Sequence, residues 1–243
     1  MPIVRVNDIN VYYELHGDGD PVVLIAGLGT DISPYMRIIR RIAQKYKVLA
    51  FDNRGVGRTD KPDTPYTIEM MAEDTAGLLR ALGIARAHVI GVSMGGRIAL
   101  ALALQHPEVV GSLVLASTSA RVPRGTRTSK RFRLFKFVKW LRSGGRFLGR
   151  DPQPYYAFIR QLDASGSYDC SGRLGEIRVP TLIMHGKRDR LAPYGLAEEM
   201  HARIAGSKMV SFEGGHLFLI WESDRFADTV KEFLGNIDSA TAR

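Results

Sequence analysis

Short apolar runs bounded by turn residues alternate with stretches of helical period along most of the chain. Residues 4–6 and 11–15 read as an antiparallel hairpin turned at 7–10, followed by a Gly-Asp-Gly-Asp-Pro turn at 17–21. Further strands are expected at 22–26, 48–51, 89–92, 113–116, 181–184 and 208–212. Between them, residues 31–46 read as loop then helix, and 68–82, 95–105, 194–204 and 224–234 as helices. The tail after Asn236 is expected to fray. From 119 to 178 the alternation stops, and that stretch reads as an inserted helical segment without a convincing strand.

This order predicts an α/β fold with a doubly wound, mostly parallel sheet. Residues 1–118 and 179–243 form its core, and 119–178 a short helical cap inserted after the strand ending near Ala116. In such sheets ligands sit outside the carboxyl ends of the strands. The residues that follow Ala26, Phe51, Val92, Ala116, Met184 and Phe212 are therefore where chemistry is expected.

Composition narrows the picture. The chain has 243 residues, 45% of them hydrophobic, which suits one domain with a sizeable core. It carries 34 Lys and Arg against 25 Asp and Glu. Eleven of those basic residues, and no acidic one, lie between Ser119 and Arg150, leaving 23 against 25 elsewhere. A nearly neutral body with one basic segment argues against a protein that coats nucleic acid. The single cysteine, Cys170, excludes an internal disulfide framework and a multi-cysteine metal site. The first ten residues alternate apolar and polar and lack the apolar run of a signal peptide, and the longest apolar run, 98–104, is seven residues. A soluble cytoplasmic protein is expected.

The candidate nucleophile follows the strand ending at Val92, in Gly91-Val92-Ser93-Met94-Gly95. A Gly-x-Ser-x-Gly pattern alone is weak, but here it sits between a buried strand and a helix, where the chain must turn sharply and Cβ atoms have no room. The competing reading is a helix N-cap serine followed by packing glycines.

A serine hydroxyl needs a base, and the base an orienting acid. Of the histidines beyond the insertion, His201 falls within a helix and reads as a solvated surface residue. His185 directly follows a strand, but Asp189 beside it better suits the acid's place. His216 follows the 208–212 strand through Glu213-Gly214-Gly215, a loop that lets an imidazole swing over the serine. The strand ending at Ala116 is followed by Ser117-Thr118-Ser119 with no carboxylate, so Asp189 is the acid by elimination and by position; its plainer reading is a loop aspartate paired with Arg188 or Arg190. An oxyanion hole would use the N–H of Met94 and that of Leu28, in the loop Gly27-Leu28-Gly29-Thr30.

At these residues the chain resembles the α/β-hydrolase superfamily over essentially its whole length, and within it the small carboxylesterase and 3-oxoadipate enol-lactonase branch. The matching pieces are Gly27-Leu28-Gly29-Thr30-Asp31, Asp52-Asn53-Arg54-Gly55-Val56-Gly57-Arg58-Thr59-Asp60, Pro65-Tyr66-Thr67, Ser93 in its elbow, Pro180 before the strand leading to Asp189, and Gly215-His216. The resemblance implies a Ser93, Asp189, His216 triad, no cofactor and no metal, and a structural loop at Asp52 and Arg54. It departs from the family at Ala26, where a histidine is usual before the oxyanion glycine, and in its short insertion. Superfamily members that work through an elbow aspartate, the haloalkane dehalogenases and epoxide hydrolases, are excluded by Ser93.

Within the insertion, Leu134, Phe137, Val138 and Leu141 share one helical stripe, while Lys130, Arg133, Lys136, Lys139 and Arg142 take the other faces. Three readings are open: a lid packing Phe137 and Leu141 over substrate beside Gly27, a patch for an anionic substrate, and a helix lying on an anionic membrane surface. The leading expectation is a serine-dependent carboxylic-ester hydrolase acting on a small-molecule ester. The alternatives are a lactonase on a small anionic enol-lactone and, from another class, a slow-turnover ligand receptor or peripheral membrane-binding protein. No nucleic-acid partner is expected.

Overall fold

The structure, a computed structural model, describes residues 2–122, 144 and 149–241. Its eight strands are β1 (Ile3–Val6), β2 (Ile9–His16), β3 (Pro21–Ile25), β4 (Lys47–Phe51), β5 (Ala87–Val92), β6 (Val110–Ala116), β7 (Thr181–Gly186) and β8 (Lys208–Phe212). They form one sheet in the order β1-β2-β4-β3-β5-β6-β7-β8. The pairs β1/β2 and β2/β4 are antiparallel, and every other neighbouring pair is parallel. The helices are α1 (Met36–Ile42), α2 (Ile68–Ala81), α3 (Met94–Gln105), α4 (Tyr155–Ser167), α5 (Tyr194–Arg203), α6 (Phe218–Trp221) and α7 (Ser223–Thr241).

Alternation along each strand deals side chains to two faces. Val23, Ile25, Val89, Leu113, Leu115 and Ile183 pack on one face with Met71 and Leu78 of α2, Ile98 and Leu102 of α3, and Met200 of α5. Val22, Leu24, Ile90, Val92, Leu182 and Met184 pack on the other with Ile38, Ile39 and Ile42 of α1 and Phe226, Val230 and Leu234 of α7. Both faces are covered, which is why the central strands read as nearly continuous apolar runs. The chain moves outward from β3 to β4, then crosses back over β3 to β5 and continues outward on the other side. The carboxyl ends of β3 and β5 therefore flank the topological switch point, where such sheets open a crevice.

The structure revises the sequence expectations at several edges. The hairpin turn is only Asn7 and Asp8, since Val6 pairs with Ile9, and Asn7 takes a positive φ of 51°. β6 begins at Val110 and β5 at Ala87, because Ser112 pairs with His88 in the ladder and their side chains meet at 2.9 Å (Oγ to Nδ1). The tail expected to fray after Asn236 is helical to Thr241. Tyr46 holds it by donating to Asp238 at 2.9 Å, and bidentate Arg37–Asp224 and Arg41–Asp228 contacts tie the start of the same helix to α1.

Between β6 and β7 the described residues hold α4, a short 3-10 stretch at Ser171–Glu176 and an isolated antiparallel bridge between Arg121 and Asp169. The basic stripe, with Phe137 and Leu141, lies outside the described residues. Cys170 is buried. Among the described residues no helix is long and apolar enough to cross a membrane.

Candidate active site

β5 ends at Val92, and the chain reverses into α3 through Ser93, whose φ of 56° and ψ of −115° are strained for a side-chain-bearing residue. The neighbouring glycines make that turn sterically feasible. A Cβ on Gly95 would stand 2.1 Å from the Ile25 carbonyl oxygen, one on Gly91 2.5 Å from that of Gly95, and one on Gly96 2.5 Å from the Thr118 side chain. The strained residue is pinned by hydrogen bonds: Ser93 N–H donates to the Ala116 carbonyl at 2.9 Å, and the Ser93 carbonyl accepts from Gly96 N–H at 3.0 Å and from Thr118 Oγ1 at 2.6 Å.

β7 and β8 deliver the other two groups from their carboxyl ends. His216 Nε2 lies 2.9 Å from Ser93 Oγ, and His216 Nδ1 lies 2.8 Å from Asp189 Oδ2. A carboxylate only accepts, so Nδ1 carries the proton and Nε2 faces the serine hydroxyl as an acceptor. The loop between β8 and α6 is held by Ser117, which donates its hydroxyl to the His216 carbonyl at 2.8 Å. Ser117 itself sits at a positive φ of 47° and donates its N–H to the Met184 carbonyl at 3.1 Å.

Asp189 is buried and accepts on both oxygens. Oδ1 takes the N–H groups of Leu191 and Ala192 at 2.8 and 2.9 Å. Oδ2 faces His216, and His185 Nε2 stands 3.4 Å away while donating to the Ala192 carbonyl at 2.7 Å. Burial pushes the Asp189 carboxyl up, but the imidazoles of His185 and His216 beside it outweigh burial and hold the group well below the usual carboxylate range. Pairing with Arg188 is not seen; Arg188 Nε donates instead to the Glu213 carbonyl.

The loop after β3 lies against the serine. A Cβ on Gly27 would be 3.4 Å from Ser93 Cβ. Gly27 N–H donates to Tyr35 Oη at 3.3 Å, the Gly27 carbonyl accepts from Thr30 Oγ1 at 2.8 Å, and the Ala26 carbonyl accepts from Asn53 Nδ2 at 3.0 Å. Leu28 is thus carried on a fastened loop. Met94 opens α3, and first-turn N–H groups have no partner within a helix.

The structure therefore brings Ser93, Asp189, His216, Gly27, Leu28 and Met94 to one end of the sheet. His201 is exposed, its Nδ1 2.9 Å from Ser207 Oγ. Asp52 and Arg54 support the adjacent loop. Asp52 accepts from the N–H groups of Ile32 and Arg58, and buried Arg54 is clamped by Asp8 and Asp74. Burial raises the Asp52 carboxyl to about 6. Ser117 and Thr118, which in sequence read only as lacking a carboxylate, and buried Gln161 of α4 are supports of the site not expected from the sequence; the signal they carry is a polar residue directly after a strand or inside an apolar helix face. Among the described residues no three His, Cys, Asp or Glu side chains are grouped to hold a metal ion.

A family model described as alpha/beta hydrolase fold matches residues 20–144. "Putative carbamate hydrolase RutD" of Azorhizobium caulinodans is 30% identical over 98% of this chain and 100% of its own length. The solved enol-lactonase from Burkholderia xenovorans LB400 superposes with a TM-score of 0.84 at 27% identity, covering 96% of this chain and 100% of that one. An esterase from Exiguobacterium antarcticum superposes with a TM-score of 0.83 at 27% identity, covering 96% and 98%.

Proposed function

The chain belongs to the alpha/beta hydrolase fold family, and from that premise we propose that it is a serine hydrolase cleaving small carboxylic esters through an acyl-serine intermediate. The observation that carries this reading is the continuous hydrogen-bonded line from Ser93 Oγ through His216 to Asp189. In the proposed reaction Ser93 Oγ attacks the ester carbonyl carbon as His216 Nε2 takes its proton. The carbonyl oxygen becomes an oxyanion between the N–H groups of Met94 and Leu28. Ionised Asp189 stabilises the imidazolium, which then protonates the departing alkoxide. Water, deprotonated in turn by His216, attacks the acyl-serine and releases the acid and free Ser93.

Lactones and carbamates carry the same electrophilic carbonyl, and the likeness to an enol-lactonase and to a protein described as a carbamate hydrolase favours testing both as substrates. A panel of p-nitrophenyl esters of increasing acyl length, a set of lactones and an aryl carbamate separates the three classes. The ester reading expects a burst of p-nitrophenol equal to the enzyme concentration, followed by turnover, with esters giving the highest kcat/KM. Neither a burst nor turnover with any of them would favour a ligand-binding role instead.

A further inference from the structure

Gln161 lies on α4 and is fully buried. It reaches across 132 positions of sequence to accept the Gly29 N–H on Oε1 at 3.0 Å. Its Nε2 donates to the Arg54 carbonyl at 2.7 Å, and Gln153 Nε2 stands 3.3 Å from the same Oε1. The residue on which the amide rests is itself fixed, because Arg54 is clamped between Asp8 and Asp74. One helical turn further along α4, Ser165 accepts from Arg97, which lies one turn beyond Ser93 on α3. A helix from the segment between β6 and β7 therefore braces both the loop after β3 and the helix that follows the serine.

The Gly29 contact bears on the reaction through the geometry of two successive peptides. The Gly27–Leu28 peptide is trans, so its N–H points opposite to its C=O. Thr30 draws that C=O toward itself from both Oγ1 and N–H, at 2.8 and 3.3 Å, and so turns the Leu28 N–H the other way. The next peptide, Leu28–Gly29, carries the N–H that Gln161 holds, in a turn where Gly29 has a positive φ of 66°. Without Gln161 that second peptide is free to rotate about Leu28, and the first is held from one side only.

We propose that Gln161 is a positioning residue of the oxyanion loop, fixing the Leu28–Gly29 peptide so that the Leu28 N–H meets the oxyanion. This inference rests on the serine hydrolase reading above.

The test is kinetic. Gln161→Met keeps the side chain's length and removes its three hydrogen bonds; Gln161→Glu keeps an acceptor oxygen for Gly29. Rates are expressed per serine titrated with a fluorophosphonate, so that misfolded protein does not count. An oxyanion donor acts in the transition state and little in the ground state. Gln161→Met is therefore expected to lower kcat about 10- to 100-fold, with KM within about twofold of wild type. Affinity for phenylboronic acid, whose tetrahedral serine adduct needs the same donors, should fall by the same factor, and Gln161→Glu should lie between Met and wild type. Wild-type kcat and boronate affinity in both variants would overturn the proposal, as would a raised KM with kcat and boronate affinity intact. A wild-type enzyme that neither takes up fluorophosphonate at Ser93 nor turns over any ester, lactone or carbamate would instead overturn the serine hydrolase reading beneath it.

Discussion

Ser117 Oγ donates a hydrogen bond of 2.8 Å to the backbone carbonyl of His216, joining the end of β6 to the loop that carries the imidazole. Thr118, the next residue, binds the Ser93 carbonyl at 2.6 Å, so one short stretch after β6 holds both the serine and the histidine in place. Ser117→Ala should release the histidine loop without touching substrate. A neutral hydrogen bond of this kind contributes about 0.5–1.5 kcal/mol, so kcat should fall roughly threefold to tenfold with KM little changed. His201→Ala, at an exposed imidazole beside the amino end of β8 and not the carboxyl end that leads to His216, should leave kcat as it is; steady-state assays of the two variants side by side check the contrast.

The elbow predicts a stability difference between two glycines. An added Cβ on Gly95 would lie 2.1 Å from a backbone carbonyl of β3, where no side-chain motion can relieve it, whereas a Cβ on Gly166 of α4 meets nothing within 4 Å. Gly95→Ala should cost about 3 kcal/mol or more by overpacking. In a chain of this size that lowers Tm by roughly 6–12 °C. Gly166→Ala should raise Tm slightly, since alanine favours the helix by up to about 1 kcal/mol. Thermal unfolding by circular dichroism reads both.

Two buried carboxylates should contribute to stability with opposite dependence on pH. Asp189 is held below its unfolded value, so its contribution is present above about pH 4 and is lost as pH falls through the lower folded value. Asp52 is raised to about 6, so its contribution is full below about pH 4 and is lost as pH rises through about 6. The stability deficit of Asp189→Asn should therefore shrink on acidification below pH 4. That of Asp52→Asn should shrink between pH 4 and pH 7, by on the order of 2–3 kcal/mol. Urea unfolding of each variant against wild type at several pH values checks both signs.

The sheet is legible because its central strands are covered on both faces and so read as apolar runs, and the three groups of the candidate triad are legible because each lies in the turn or loop that leaves the carboxyl end of a strand. The ends of β5 and β6 were not, since His88 and Ser112 look like loop residues until they are seen paired across the ladder. The length of α7 was not legible either. Asp238 reads as tail polarity, and only the fold places it beside the Tyr46 hydroxyl. The supports of the site were hidden for the same reason. Gln161 and Gly29 are 132 positions apart, so a polar residue inside an apolar helix face marks Gln161 without showing its partner. In sequence, Asp189 nearby makes His185 the poorer candidate base; in the fold its imidazole lies against that aspartate and helps lower its pKa.

On the proposed reading Ser93 is the nucleophile, activated by His216. The most direct measurement is mass spectrometry of peptides from the protein treated with a fluorophosphonate, for wild type, Ser93→Ala and His216→Ala. The expected result is one phosphonylated peptide carrying the adduct on Ser93, no adduct in Ser93→Ala, labelling slowed by about 10³-fold or more in His216→Ala, and ester hydrolysis lost in step. An adduct that persists in Ser93→Ala, or full ester hydrolysis by that variant, would contradict it.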